Sequence, residues 1–184
     1  IWPQYESIGH AYGLKNVLNL QGRFFALSGG FGTVEGVLIG DDGKPISSSL
    51  FGENLGIRHA ALLMKSELIN KGLVPPEGAG DDLWYDDVLR GPYYKNLKTN
   101  IYLSNGIASE EYLYKLAVEM LEKYANKLLL PKLEQHLKLC NTGKINFGFT
   151  GGASRYEPVS NAIKKMIKNL GMTWLDINDD LALK

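Results

Sequence analysis

The sequence predicts an α/β domain whose mixed or mainly parallel sheet is flanked by helices. Three observations carry this expectation. Two short apolar runs, Phe24 to Leu27 and Ile145 to Phe149, have strand length and each ends in a glycine corner. A long apolar stripe at helical spacing follows Ser109. Residues 145–177 read strand, turn, helix, strand, the unit that makes right-handed parallel crossovers. The alternative is an α+β arrangement, with a β-hairpin set beside a helical part.

The elements follow in order. Tyr5 to Leu20 keeps helical spacing through Ile8, Ala11, Leu14, Val17 and Leu18, although Gly9 and Gly13 weaken it. Phe24 to Leu27 is the first core strand, and Val34 to Ile39 is a second apolar segment. Gly40 to Pro45 is a turn, because Asp and Gly tolerate left-handed φ and Pro cannot continue a ladder. Asn54 caps a helix whose inward positions are Ile57, Ala60, Ala61, Met64 and Leu68. Pro75 to Asp82 is a loop by composition. Ser109 caps the clearest helix, and Pro131 predicts a kink or break before Leu133 to Cys140. Pro158 to Leu170 is the last helix, ended by Gly171, and Met172 to Ile177 is the last strand.

A chain of 184 residues is read as a single domain with room for a substantial core. Its formal net charge is zero, which disfavours a broad contact with nucleic acid. Cys140 is the one cysteine, so no disulfide framework exists. His10, His59 and His136 lack metal-type spacing to one another or to Cys140, and neither metal nor cofactor is expected. No apolar run approaches a membrane span. The start, Ile1-Trp2-Pro3, points to a trimmed or processed chain, and without a signal peptide the cytoplasm is the favoured compartment. Self-association into a homo-oligomer stays open.

The informative stretch is Leu18 to Ile39. Its corner, Ser28-Gly29-Gly30-Phe31-Gly32-Thr33, has the small residues that let a backbone approach a ligand closely. If Thr33 opens a helix, the corner becomes a phosphate site of Rossmann-like kind. If Thr33 opens a strand, the same glycines make a hairpin turn. A second corner, Thr150-Gly151-Gly152-Ala153-Ser154-Arg155, stands between a strand and a helix, where Arg155 would contact a phosphate or carboxylate. Asp176 ends the next strand, a common place for an acid that binds ribose hydroxyls. The two corners are expected at neighbouring strand ends, lining one cleft for a small ligand that carries phosphate or another anion.

The stretch Gly13 to Gly36 resembles the LOG-type (lysine-decarboxylase-like) nucleoside-monophosphate phosphoribohydrolases and their molybdenum-cofactor-carrier relatives. The residues that carry the resemblance are Lys15-Asn16, the strand Phe24 to Leu27, and Gly29-Gly30-Phe31-Gly32-Thr33. The resemblance implies that Gly29, Gly30, Gly32 and Thr33 bind a nucleotide phosphate, with Lys15 or Arg155 adding positive charge. It also implies an acid that assists cleavage of an N-glycosidic bond. Ser28 stands where the family has Pro or Gly, and Gly36 stands where it has Glu, which leaves Glu35 for the acid role.

Two other functions fit the residues. A glycan hydrolase of the peptidoglycan type would use paired carboxylates, with Glu6 beside a helix and a hairpin turning at Asp41 to Gly43. The acidic residues Asp81, Asp82, Asp86 and Asp87, interleaved with Trp84, Tyr85, Tyr93 and Tyr94, would suit carboxylate chemistry or stacking on sugars or bases. A non-catalytic partner-binding domain would need only the neutral charge and the many tyrosines. Whether the chain is an enzyme is therefore open.

Overall fold

The computed structural model describes residues 6–72, 82–90, 102–103, 106–107, 110–140 and 144–177. The chain begins with α1 (Glu6–Val17), β1 (Phe24–Gly29) and β2 (Val34–Ile39). A 3-10 turn at Ser47–Ser49 leads to β3 (Phe51–Glu53), α2 (Arg58–Asn70) and α3 (Asp82–Arg90). The ribbon of β4 (Tyr102–Leu103) and β5 (Gly106–Ile107) precedes α4 (Glu110–Tyr124). A π turn, Ala125–Leu129, joins α4 to α5 (Leu130–Leu139). Then come β6 (Asn146–Thr150), a 3-10 turn at Gly152–Arg155, α6 (Glu157–Asn169) and β7 (Thr173–Trp174).

The main sheet has five strands in the order β3-β2-β1-β6-β7. β1 is central and all six of its residues are buried, as a strand covered on both faces must be. It pairs antiparallel with β2, Phe24 opposite Ile39 and Gly29 opposite Val34. On the other side it pairs parallel with β6, Phe24 opposite Asn146 and Ser28 opposite Thr150. β7 continues the parallel half. The α/β class, with a mixed sheet and flanking helices, is the one expected. The antiparallel β1–β2 hairpin separates it from a Rossmann-like, doubly wound sheet.

Strand alternation sorts side chains to two layers. On one face Ala11 and Leu14 of α1 cover Phe24, Ala26, Val37 and Ile39. On the other, Phe25, Leu27, Leu38, Phe147 and Phe149 meet the remaining helices. There Phe25 and Phe147 stack with ring centroids 5.6 Å apart, and Trp174 stacks on Phe147 at 6.0 Å. Gly36 is required by this layer, since a methyl group on it would lie 2.6 Å from the Phe25 ring.

The break expected at Pro131 is absorbed rather than made. Pro131 lacks an N–H and stands in the first turn of α5. The preceding turn widens to π geometry, with the Leu130 N–H donating to the Ala125 carbonyl. Among the described residues no helix is long and apolar enough to cross a membrane.

Candidate functional site

The chain after Thr33 is a strand, so the first corner is a hairpin connection, Gly30 to Thr33, closed by the Gly30 N–H on the Thr33 carbonyl at 2.9 Å. Val34-Glu35-Gly36-Val37-Leu38-Ile39 becomes β2 because its apolar side chains are needed on both faces of the sheet. Expected helix N–H groups are therefore absent from this corner. The hairpin nonetheless divides its own backbone polarity. Its carbonyls at Gly30, Phe31 and Gly32 accept from the N–H groups of Ile57 (3.1 Å), Arg58 (2.8 Å) and Gly56 (3.0 Å). Those three donors open α2, whose first N–H groups would otherwise lack acceptors. The hairpin's remaining N–H groups, on Phe31, Gly32 and Thr33, have no backbone acceptor among the described residues. Gly32 and Thr33 are exposed. A methyl group on Gly32 would meet nothing within 4 Å, and one on Gly30 would make only ordinary contact.

The second corner abuts the first. The parallel register of β1 and β6 sets Ser28 level with Thr150, and the Thr150 hydroxyl donates to the Leu27 carbonyl at 3.2 Å. Gly151 has φ +82°, and a methyl group there would lie 2.5 Å from the Gly29 carbonyl oxygen. Gly29 is equally constrained, its missing side chain leaving room for the Ala153 methyl. These two glycines let the corners touch. Gly152, by contrast, is exposed with open space above it.

A cavity of about 320 Å³ adjoins this edge. Phe149, Thr150, Ser154, Lys164, Trp174 and Asp176 are among its walls. Lys164 supplies its positive charge and donates to Asp176 at 2.9 Å, with its ammonium 5.8 Å above the Trp174 ring. The Lys164 hydrogen bond holds the Asp176 carboxyl below its ordinary range. Arg155 ends the 3-10 turn and is exposed.

Two sequence-predicted residues are placed differently from expectation. Lys15 is not at the corners, because its Nζ lies against Gly43, in the turn beyond the opposite end of β2. α1 leads directly into the start of β1, so the last turn of this helix is held at the far edge. Glu35 lies not at a helix start but on β2, opposite Ser28 on one side and Gly52 on the other. It shares the α1 face with Val37 and Ile39, and its Oε2 is buried with no hydrogen-bond partner.

The other candidates have local roles. Glu6 pairs with His10 one turn on in α1. His136 Nε2 meets the Ser49 carbonyl at 2.9 Å and Cys140 Sγ at 3.4 Å. Asp86 is not a solvated loop acid but a buried partner of Arg90 and Tyr156. Asp81, Tyr93 and Tyr94 lie outside the described residues. Among the described residues, no three His, Cys, Asp or Glu side chains converge to hold a metal ion.

No family model matches the sequence, and no curated protein matches it. The fold is that of actin-like proteins. An archaeal actin homolog in complex with ADP superposes with a TM-score of 0.71 at 15% identity, covering 97% of this chain and 52% of that one. Bacillus thuringiensis ParM with ATP gives 0.56 at 12% identity, covering 87% and 43%. The PilM–PilN type IV pilus biogenesis complex gives 0.56 at 14%, covering 92% and 40%. The chain thus spans about half the length of the archaeal actin homolog it matches.

Proposed function

We propose that the chain binds a nucleoside di- or triphosphate across the two corners. The observation that carries this is the polarity of the hairpin. Its carbonyls are taken by α2, which leaves the N–H groups of Phe31, Gly32 and Thr33 without backbone acceptors among the described residues and open to a ligand. Successive outward N–H groups form an anion-binding concavity. The Thr33 hydroxyl and the open backbone at Gly152 extend it, and no side chain at Gly30, Gly32 or Gly152 blocks a phosphate. The adjoining cavity has the size of a small-ligand site and an aromatic, a cation and a carboxylate to receive a nucleoside. The actin-like structures solved with ADP and with ATP support the same ligand class.

Glu35 is the residue to which we assign the chemistry. It follows Thr33 by two positions, and its unpartnered buried oxygen is the kind of unsatisfied group that functional sites retain. It would orient a water or take its proton. Release of terminal phosphate and release of free base are the two reactions to separate, the second being the one the phosphoribohydrolase resemblance implies.

The test is calorimetric titration of the parent with ADP, ATP, AMP and inorganic phosphate, followed by assays for free phosphate and free base. ADP or ATP should bind more tightly than inorganic phosphate, because the cavity adds contacts. Gly30→Asp should abolish binding, since it sets a negative charge where phosphate would sit. A folded parent that binds neither ADP nor ATP would overturn the reading.

A further inference from the structure

A ring of three polar contacts joins α3 to the second corner. Arg90 Nη2 lies 2.6 Å from Asp86 Oδ2. The Tyr156 hydroxyl donates to Asp86 Oδ1 at 3.1 Å and accepts from Arg90 Nε at 3.2 Å. Asp86 and Tyr156 are both buried, at 2% and 5% exposure. Tyr156 is also part of the corner itself. Its N–H donates to the Ala153 carbonyl at 3.3 Å, and its own carbonyl accepts from Val159 and Ser160 at 3.0 Å each, opening α6. Loosening the corner at Tyr156 therefore removes a hydrogen-bond donor from the buried Asp86 carboxylate and an acceptor from Arg90 Nε. A buried charge-assisted hydrogen bond is costly to lose, so the ring favours opening of both parts together.

We propose that α3 is a ligand-responsive element, coupled through Tyr156 to occupancy of the corner formed by Gly151 to Arg155. This rests on the nucleotide-binding reading. A ligand on the corner suppresses its opening, and the ring passes that protection to a helix that need not touch the ligand. Tyr156 is a positioning residue here, acting through Asp86 and Arg90.

The experiment is amide hydrogen exchange on the full chain, with and without ADP, for the parent and Tyr156→Phe. With ADP at about a hundred times its Kd, amides that exchange only when the corner opens slow by about 100-fold. That slowing is expected at residues 82–90 in the parent. In Tyr156→Phe it should vanish there while the protection of β1 persists. Arg90→Met serves if Tyr156→Phe does not fold, since Arg90 is half-exposed and contributes two of the three contacts. Binding of ADP without slowing at 82–90, or with equal slowing in the variant, overturns the coupling and spares the nucleotide reading. Absence of ADP binding overturns both.

Discussion

Gly56→Ala should loosen the hairpin from α2, and its cost can be worked from the structure. A methyl group on residue 56 would lie 2.3 Å from the Phe31 carbonyl oxygen and 2.6 Å from the Gly32 carbonyl carbon. Both are backbone atoms, so no rotamer relieves the clash. Restoring ordinary contact needs a separation of about 1 Å, which takes three hydrogen bonds of 2.8 to 3.1 Å to about 4 Å, past the useful limit. At about 1 kcal/mol net for each bond the loss is about 3 kcal/mol. Alanine's stiffer unfolded chain returns about 0.4–1 kcal/mol. The net cost is about 2 kcal/mol, a fall in Tm of about 4–8 °C for a domain of this size. The assay is thermal unfolding followed by circular dichroism, with Gly32→Ala measured beside it. Gly32 has open space and an ordinary φ, so that variant should melt within about 2 °C of the parent, yet lose ligand affinity. Equal melting of Gly56→Ala and the parent would refute the reasoning, as would an equal loss in both variants.

Tyr124 donates to the Leu55 carbonyl, just before the residues that hold the hairpin, so Tyr124→Phe strands a partly buried acceptor. It should cost about 1–3 kcal/mol, read as a Tm lower by about 2–12 °C. Burial raises the phenols of both Tyr124 and Tyr156 above the usual range, with Asp86 adding to the shift at Tyr156. The folded chain then keeps protons that the unfolded chain releases. Stability is full below about pH 10 and falls above it, by up to about 1.4 kcal/mol per pH unit for each tyrosine. Urea titrations across that range should show the slope, and Tyr124→Phe should flatten it. Glu35→Gln should keep ADP affinity and remove turnover, measured as phosphate or base release, without lowering Tm.

The core strands were legible because Phe24 to Leu27 is buried throughout, which writes a continuous apolar run, and because Ile145 to Phe149 alternates apolar side chains with the partly exposed Asn146 and with Gly148. The last strand was legible in position but not extent, only Thr173–Trp174 pairing in the sheet. The turn from corner to strand at Thr33 was ambiguous for a physical reason. Glycines serve a hairpin and a helix start equally, and Gly36 hides the β-pattern of β2 by yielding its place to Phe25. The meeting of the two corners could be expected from their shared place after parallel strands. Lys15 could not be placed, because sequence proximity to the corner says nothing about the direction in which α1 crosses the sheet. Asp86 read as one of a cluster of acids suited to carboxylate chemistry, because its partner Tyr156 is distant in the chain. Only Arg90, one turn on in α3, gave a local hint of pairing.

The site that emerges is built mostly from backbone. In the proposed site the donors are the N–H groups of Phe31, Gly32 and Thr33, left over once the neighbouring carbonyls are held by the N–H groups of Gly56, Ile57 and Arg58. What side chains contribute is chiefly their absence, at Gly29 and Gly151 so that the corners touch, and at Gly56 so that α2 can approach. Backbone groups are the same in every residue, so such a site constrains sequence only at a few small positions scattered along the chain. The fold that aims them is constrained far more strongly. This accounts for a chain that matches actin-like structures over nearly all of its length at 15% identity while no family model matches its sequence. It also locates where the site is fragile. Changes that add a single carbon at Gly29, Gly56 or Gly151 should be worse for binding than removal of the charged side chains Arg155 or Lys164.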